Sequence, residues 1–367
     1  MRIFVNNVDG YMAGAICADL RRLTAHIIGT RKGANLELVP PMVRKVVPRI
    51  EVRRLLKTIA ACDVVVYDLH DADLEELELV LRILYNSELS QDLTFILVSS
   101  VGVWARTQRE YESPEEAAPA EEAWQPETAM GGTGSGGAEG AGGEAGEEAA
   151  DPAEGGPAEG GEKGDSATKE PQDPRPPRPK ALRSEDYTRR KPAPKFQEWR
   201  TIETLTLALK ERPRIRPYVV CSGIPYGNGE EAFLGLFKAA WQTRPTLRVI
   251  GEGFNTIPLV HVRDAARLIR RVVEEKPGLD YHLAVDRGDT SQREIIQAVA
   301  DEFGIPYEVR SVSIAEAILA EMADMLTLDL RLEPSPLMVE PQPEQPAAAA
   351  EGGAAAPTEE EAEGQTA

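Results

Sequence analysis

Metal-binding and disulfide-forming residues are scarce in this chain, with three cysteines and four histidines among 367 residues. Cys17, Cys62 and Cys221 stand far apart in apolar surroundings, the pattern of reduced, buried thiols and not of a disulfide framework. The histidines show no ligand spacing, so no metal site is expected. No apolar run reaches the length a membrane-spanning helix needs. A first strand starting by residue 3 leaves no room for a secretory leader, and a cytoplasmic protein is expected. A basic stripe is missing too. The net charge is -20, but residues 112–173 hold 17 acidic and two basic residues, and from Glu333 onward there are eight acidic residues and no basic one. The remaining chain is close to neutral, which argues against a nucleic-acid partner.

Two stretches lack the apolar anchors that a packed core requires. Residues 113–180 and the tail 331–367 are dominated by Gly, Ala, Glu and Pro. Neither buries enough surface to offset chain entropy, so a disordered acidic insert and a disordered acidic tail are expected. The insert interrupts one domain, because residues 1–112 and 181–330 form one continuous pattern.

That pattern alternates strand and helix. Short apolar runs at 2–6, 25–30, 63–69, 93–100 and 217–223 read as strands, those at 63–69 and 93–100 continuous enough to be buried on both faces. Between them lie helical patterns at 15–23, 52–62 and 199–211, and one marked by Leu77, Val80, Leu81 and Leu84. Further on, "LRVIG" and "PLVHV" read as short strands. Helices follow from Asp264, which is expected to cap the first, and from Ser291, whose spacing to Glu294 is a capping box. The order predicts a doubly wound, parallel, Rossmann-like α/β sheet with a small C-terminal α/β part.

Four stretches carry a resemblance in their order and spacing. They are "VSSVGVW" (98–104), "CSGIPYGNG" (221–229), "IGEGFNTIPLVHVRDAARLI" (250–269) and "YHLAVD" (281–286). Together they resemble the extended short-chain dehydrogenase/reductase, or NAD-dependent epimerase, superfamily. "SEDYTRRKPAPKF" (184–196) and "MLTLDLRLE" (325–333) are similar to the epimerase-like N-terminal region of a family of adenylate kinases of motile cilia. In that family a kinase domain follows. Here no Gly-x-x-x-x-Gly-Lys-[Ser/Thr] loop occurs, so nothing in this sequence wraps the phosphates of ATP.

The resemblance implies where the chemistry would sit. The glycine-rich turn of the superfamily falls on Asn7, Gly10 and Ala13, so only one glycine is retained. Asn tolerates left-handed φ and Ala is small, but Asp9 would repel a pyrophosphate. Arg31 and Lys32 stand where an acidic residue would read the ribose of NAD, and would favour NADP. The serine position is Ser100. "YTRRK" offers Tyr187 and Lys191 as the acid/base pair, which must share a helical face for the ammonium to lower the phenol pKa. Pro192 and Pro194 break that helix. The next helix aligns Phe196 and Arg200 with the pair. The diphosphate-clamping arginine corresponds to Ile257, while His261 and Asp264 are structural in the superfamily.

Three readings follow. One is a catalytically degenerate domain serving protein partners as a structural or nucleotide-sensing module, in a ciliary axoneme by resemblance. The second is an active NADP-dependent reductase or epimerase using Ser100, Tyr187 and Lys191. The third is the N-terminal part of a longer kinase.

Overall fold

The computed structural model describes residues 1–112, 179–229, 231–242, 246–304, 308–317 and 323–339. Residues 113–178 and 340–367, which hold most of the expected insert and tail, lie outside the described residues. The chain divides into two units, Met1–Gln108 with Ala181–Ala367, and Arg109–Lys180. In the second, an antiparallel bridge joins Tyr111 to Pro179, and Lys180 N donates to Glu110 O (2.7 Å).

The first unit begins with β1 (Ile3–Val5), α1 (Tyr11–Leu20), β2 (Ile27–Gly29), β3 (Val43–Val46) and α2 (Val52–Ala60). Then come β4 (Val64–Asp68), α3 (Leu74–Asn86), β5 (Leu93–Ser100), α4 (Gln197–Ala208) and β6 (Ile215–Ser222). The C-terminal half holds β7 (Ile224–Tyr226), α5 (Leu234–Trp241), β8 (Thr246–Ile250), β9 (Leu259–His261) and α6 (Val262–Glu275). It continues with β10 (Tyr281–Ala284), α7 (Gln292–Phe303) and β11 (Glu308–Val312), followed by short helices at Ile314–Ala317 and Ala323–Leu326. Seven strands form one parallel sheet in the order β3-β2-β1-β4-β5-β6-β10. The order reverses direction between β1 and β4, so their carboxyl ends flank the crevice where ligands bind in such sheets.

Both faces of the sheet are covered, which is why β4 and β5 are buried at every position. Phe4, Val65, Tyr67, Phe95 and Leu97 pack toward Leu55 and Ile59 of α2, Leu77 and Leu81 of α3, and Ile202 of α4. Ile3, Val5, Val66, Ile96 and Val98 pack toward Ile16 and Leu20 of α1 and Leu268, Ile269 and Val272 of α6. Each such side chain contributes about 1.5–3 kcal/mol by leaving water. A smaller core joins Ala240, Leu247, Val249, Ile296 and Val299 beneath the two-stranded sheet of β8 and β11. The Ser291–Glu294 capping box opens α7, and Gly304 closes it with a left-handed φ of 63°.

The differences from expectation are local. β3, β7 and β11 were not predicted. α1 begins at Tyr11 and not at residue 15, because Gly10 turns the chain directly into the helix. α6 begins at Val262, so its cap is His261, whose Nδ1 accepts from Arg263 N (3.2 Å); Asp264 sits inside the first turn and pairs with Arg267 (3.4 Å). The tail starts later than its composition suggests. Leu182 N donates to Arg331 O (2.9 Å), Glu333 N to Leu182 O (2.9 Å) and Ser335 N to Leu283 O (2.9 Å), holding the chain against the sheet as far as Val339.

Candidate functional site

At the carboxyl end of β1 the chain turns through Asn7, which has a left-handed φ of 41°, and reaches Gly10, the extended N-cap of α1. The asparagine meets the conformational demand that a glycine would meet, at the cost of a side chain in the turn. That side chain is engaged: Asn7 Nδ2 donates to Asp71 O (2.6 Å), while Asn7 N donates to Thr30 Oγ1 (2.9 Å). A Cβ built on Gly10 would stand 2.3 Å from Asp71 Oδ2 and 3.1 Å from Asn7 O, so a side chain there would have to displace the Asp71 carboxylate. Ala13 is fully buried in α1.

Carboxylates ring this turn. Asp9 accepts from the backbone N–H of Lys32 (2.8 Å) and Gly33 (2.7 Å). Lys32 Nζ reaches Asp71 Oδ1 at 2.6 Å. The hydrogen bond and charge of Asp71 hold the ammonium above its ordinary value. Arg31 turns back to the carbonyl of Ala34 (2.8 Å). The two basic residues expected to face a 2′-phosphate are thus committed to the chain's own acceptors. The α1 N-terminus favours an anion by its exposed N–H groups and dipole, but the anionic groups beside it are already the protein's own.

The positions that the resemblance gives to acid/base chemistry come from β5, α4 and the segment before it. Ser100 is buried, and its Oγ accepts from Gly102 N (3.3 Å), capping the turn that follows β5. Phe196 lies directly on that turn: a Cβ on Gly102 would come within 2.4 Å of its ring. Phe196 caps the start of α4, and Arg200 and Glu203 follow it at helical spacing along the helix. Arg200 Nε is buried with no hydrogen-bond partner among the described residues.

Tyr187 and Lys191 are placed elsewhere. Tyr187 lies in a short 3₁₀ turn, Ser184–Arg189, and its ring stacks on Tyr281 (5.1 Å, 9°). The turn ends at Arg190, whose ψ is 134°, so Lys191 does not follow Tyr187 around a helix. Lys191 N donates to Thr107 Oγ1 (3.0 Å) and its side chain is exposed. Arg190 is instead the anchor of this segment. It pairs with Glu203 at 2.6 Å, the two side chains 5% and 0% exposed. Tyr281 OH adds a hydrogen bond to Glu203 (3.3 Å) and receives one from Trp104 Nε1 (3.0 Å). Burial pushes the Glu203 carboxyl upward while Arg190 opposes the shift.

Sequence reasoning missed His70, two residues beyond Asp68 at the end of β4. His70 Nδ1 and Asp68 Oδ1 are 2.6 Å apart, and the imidazole meets Trp199 edge-on (5.2 Å, 88°). Burial pulls His70 down, but the charge and hydrogen bond of Asp68, with Asp71 and Glu231 behind, hold it above its ordinary value. Asp68 Oδ2 is buried and finds no partner among the described residues. The available signal was an aspartate and a histidine, two apart, at the end of a predicted central strand. Across the crevice, Tyr11 OH donates to Gly227 O, joining α1 to the loop after β7. Ile257 is buried and apolar, so the diphosphate-clamp position carries no charge. Among the described residues no cluster of His, Cys, Asp or Glu could hold a metal ion.

No protein-family model matches the chain. Adenylate kinase 7 of Mus musculus is 33% identical over 156 residues, 41% of this chain and 25% of that protein. Adenylate kinase 7 of Macaca fascicularis is 32% identical over 122 residues, 32% of this chain and 23% of that protein. The matched segment thus spans about a quarter of these curated relatives. Among solved structures, dTDP-glucose 4,6-dehydratase from Bacillus anthracis, in complex with NAD, superimposes with a TM-score of 0.56 at 13% identity, over 85% of this chain and 84% of that one. UDP-glucose 4-epimerase from Thermus thermophilus, also with NAD, gives 0.55 at 14% identity over 92% of each chain. A human epimerase family protein with NADPH gives 0.53 at 15% identity over 91% of each. The chain has the Rossmann-like fold of the NAD-dependent epimerases and dehydratases and, over less than half its length, sequence similarity to part of adenylate kinase 7.

Proposed function

We propose that this chain is a non-catalytic epimerase-fold module that acts through protein contacts, in the setting of motile cilia. The observation that carries the reading is Phe196. It occupies the position that the epimerase-like resemblance gives to the proton-transferring tyrosine, packed on the turn beside Ser100, and a phenyl ring transfers no proton. Tyr187 and Lys191, the other source of a phenol and an ammonium, do not share a helical face. The similarity to adenylate kinase 7 supports the ciliary setting, and the missing phosphate-wrapping loop speaks against a kinase activity of this chain. Assays of the full chain with NADPH or NADH and UDP- or dTDP-glucose test the reading. The expected result is no change in nicotinamide absorbance and no epimerised sugar. Turnover abolished by Ser100→Ala or Tyr187→Phe would instead establish the reductase reading. Tagged chain in ciliated cells is expected along the axoneme, and a signal confined to the cell body removes the ciliary part.

A further inference from the structure

The fold's dinucleotide does not fit the β1–α1 turn, and the misfit is concentrated in named groups. Gly10 keeps the bare backbone that a close anionic ligand requires, yet the atom against it is a carboxylate oxygen, Asp71 Oδ2. Asp71 is fixed from three sides. Its carbonyl takes Asn7 Nδ2 (2.6 Å), its other oxygen holds Lys32 Nζ (2.6 Å), and α3 begins three residues later behind its own Asp73 cap. Asp9, on the turn itself, occupies the N–H groups of Lys32 and Gly33. A pyrophosphate brought to this turn would meet two fixed negative charges at short range. It would also have to compete with Asp71 for the Lys32 ammonium, which that carboxylate already pairs.

We propose that Asp71, seconded by Asp9, is the specificity determinant that closes this crevice to dinucleotides. The Asp71 carboxylate is an internal competitor for anions, and Lys32 is its captured counter-ion. The proposal rests on the non-catalytic reading and adds a cause to it. The crevice is not an eroded cradle too loose to bind; it is filled by the chain's own anion. Restoring the missing glycines would leave that anion in place, whereas neutralising Asp71 removes it and frees Lys32 for a phosphate. Lys32 also lies where a 2′-phosphate is read, so the gain should be larger for NADPH than for NADH.

The experiment compares the full wild-type chain with Asp71→Asn, Asp71→Ser, Asp9→Asn/Asp71→Asn, and Asp71→Asn/Lys32→Gln. NADPH and NADH are titrated by fluorescence, inorganic pyrophosphate by calorimetry, and folding is confirmed by circular dichroism. The expected result is no saturable binding by wild type and binding at least about tenfold tighter in the Asp71 variants, once the like charge is gone. Binding should be tightest in the double aspartate variant and lost again when Lys32 is replaced. Two substitutions at Asp71 guard against one failing to fold. Folded variants that bind no better than wild type overturn the proposal and leave the non-catalytic reading standing. So does a gain that survives Lys32→Gln. Wild-type protein that binds NADPH as tightly as the variants also overturns it, and only accompanying turnover would bring down the function reading as well.

Discussion

His282 and His70 are shifted in opposite directions, so they act on stability in opposite pH windows. His282 is buried in β10, with Nδ1 3.0 Å from Ser335 Oγ, and burial lowers it from 6.5 to about 4. Between those values the unfolded chain binds a proton that the folded chain refuses. Its contribution is therefore present above pH 6.5 and lost as pH falls toward about 4, by about 3 kcal/mol in all. Urea unfolding across pH should show this acid limb, and His282→Gln should flatten it; an unchanged limb assigns it to other groups. His70 is raised, so its pairing with Asp68 is complete below 6.5 and lost as pH rises through the folded value. NMR titration of its ring should give a value above 6.5 that Asp68→Asn brings down. The buried Arg190–Glu203 pair poses a different question. Removing one partner strands a charge, so Glu203→Gln is expected to cost about 3–5 kcal/mol in urea unfolding, while Arg190→Met/Glu203→Leu recovers most of that loss. Equal losses in both variants would mean that the pairing itself is not what matters.

Elements were legible where burial wrote a long apolar run or a cap. Residues 93–100 form β5 over the same residues, and Ser291 with Glu294 mark the start of α7. Where a strand lies at an edge the signal fades. β3 is Val-Arg-Lys-Val with its middle exposed, β11 carries Glu308 and Arg310, and β7 spans three residues interrupted by Pro225. Such strands exist because a neighbour supplies their hydrogen bonds, which no local pattern records. The join between β5 and α4 is set by contact of the same non-local kind. Gly102 has no Cβ because the Phe196 ring, 5% exposed, occupies that space. Gly102→Ala should cost about 1–3 kcal/mol by overpacking, and Phe196→Leu in the same chain should return part of it. Additive losses in the double variant, read from thermal melts, would show that the two sites do not share that space.

At the scale of the whole molecule, the individual positions of the crevice were legible but their partners were not. Asn7, Gly10, Lys32 and Phe196 were singled out by the family resemblance, counted along the predicted strands and helices. Asp71 and Arg190 were not, because each matters through a residue that only the fold brings against it, Lys32 and Glu203 respectively; His70 left a local trace beside Asp68, but its contact with Trp199 left none. The same long-range logic governs the C-terminal segment, where composition indicated a tail. Leu332 and Ser335 are buried, 8% and 1% exposed. Ser335 Oγ lies on His282 Nδ1, and Arg271 Nη1 donates to Val339 O (2.9 Å). A chain ending at Leu330 would uncover apolar surface and leave His282 and the backbone of Leu182 and Leu283 without these partners. It is expected to be less stable than one ending at Val339 by at least about 3 kcal/mol. It should also lose much of the His282 acid limb, because an imidazole reopened to water returns toward its ordinary value. Equal melting temperatures and equal pH profiles for the two truncations would show that the segment only rests on the sheet. A lower melting temperature with the acid limb intact would mean that apolar packing, and not the Ser335–His282 contact, holds it there.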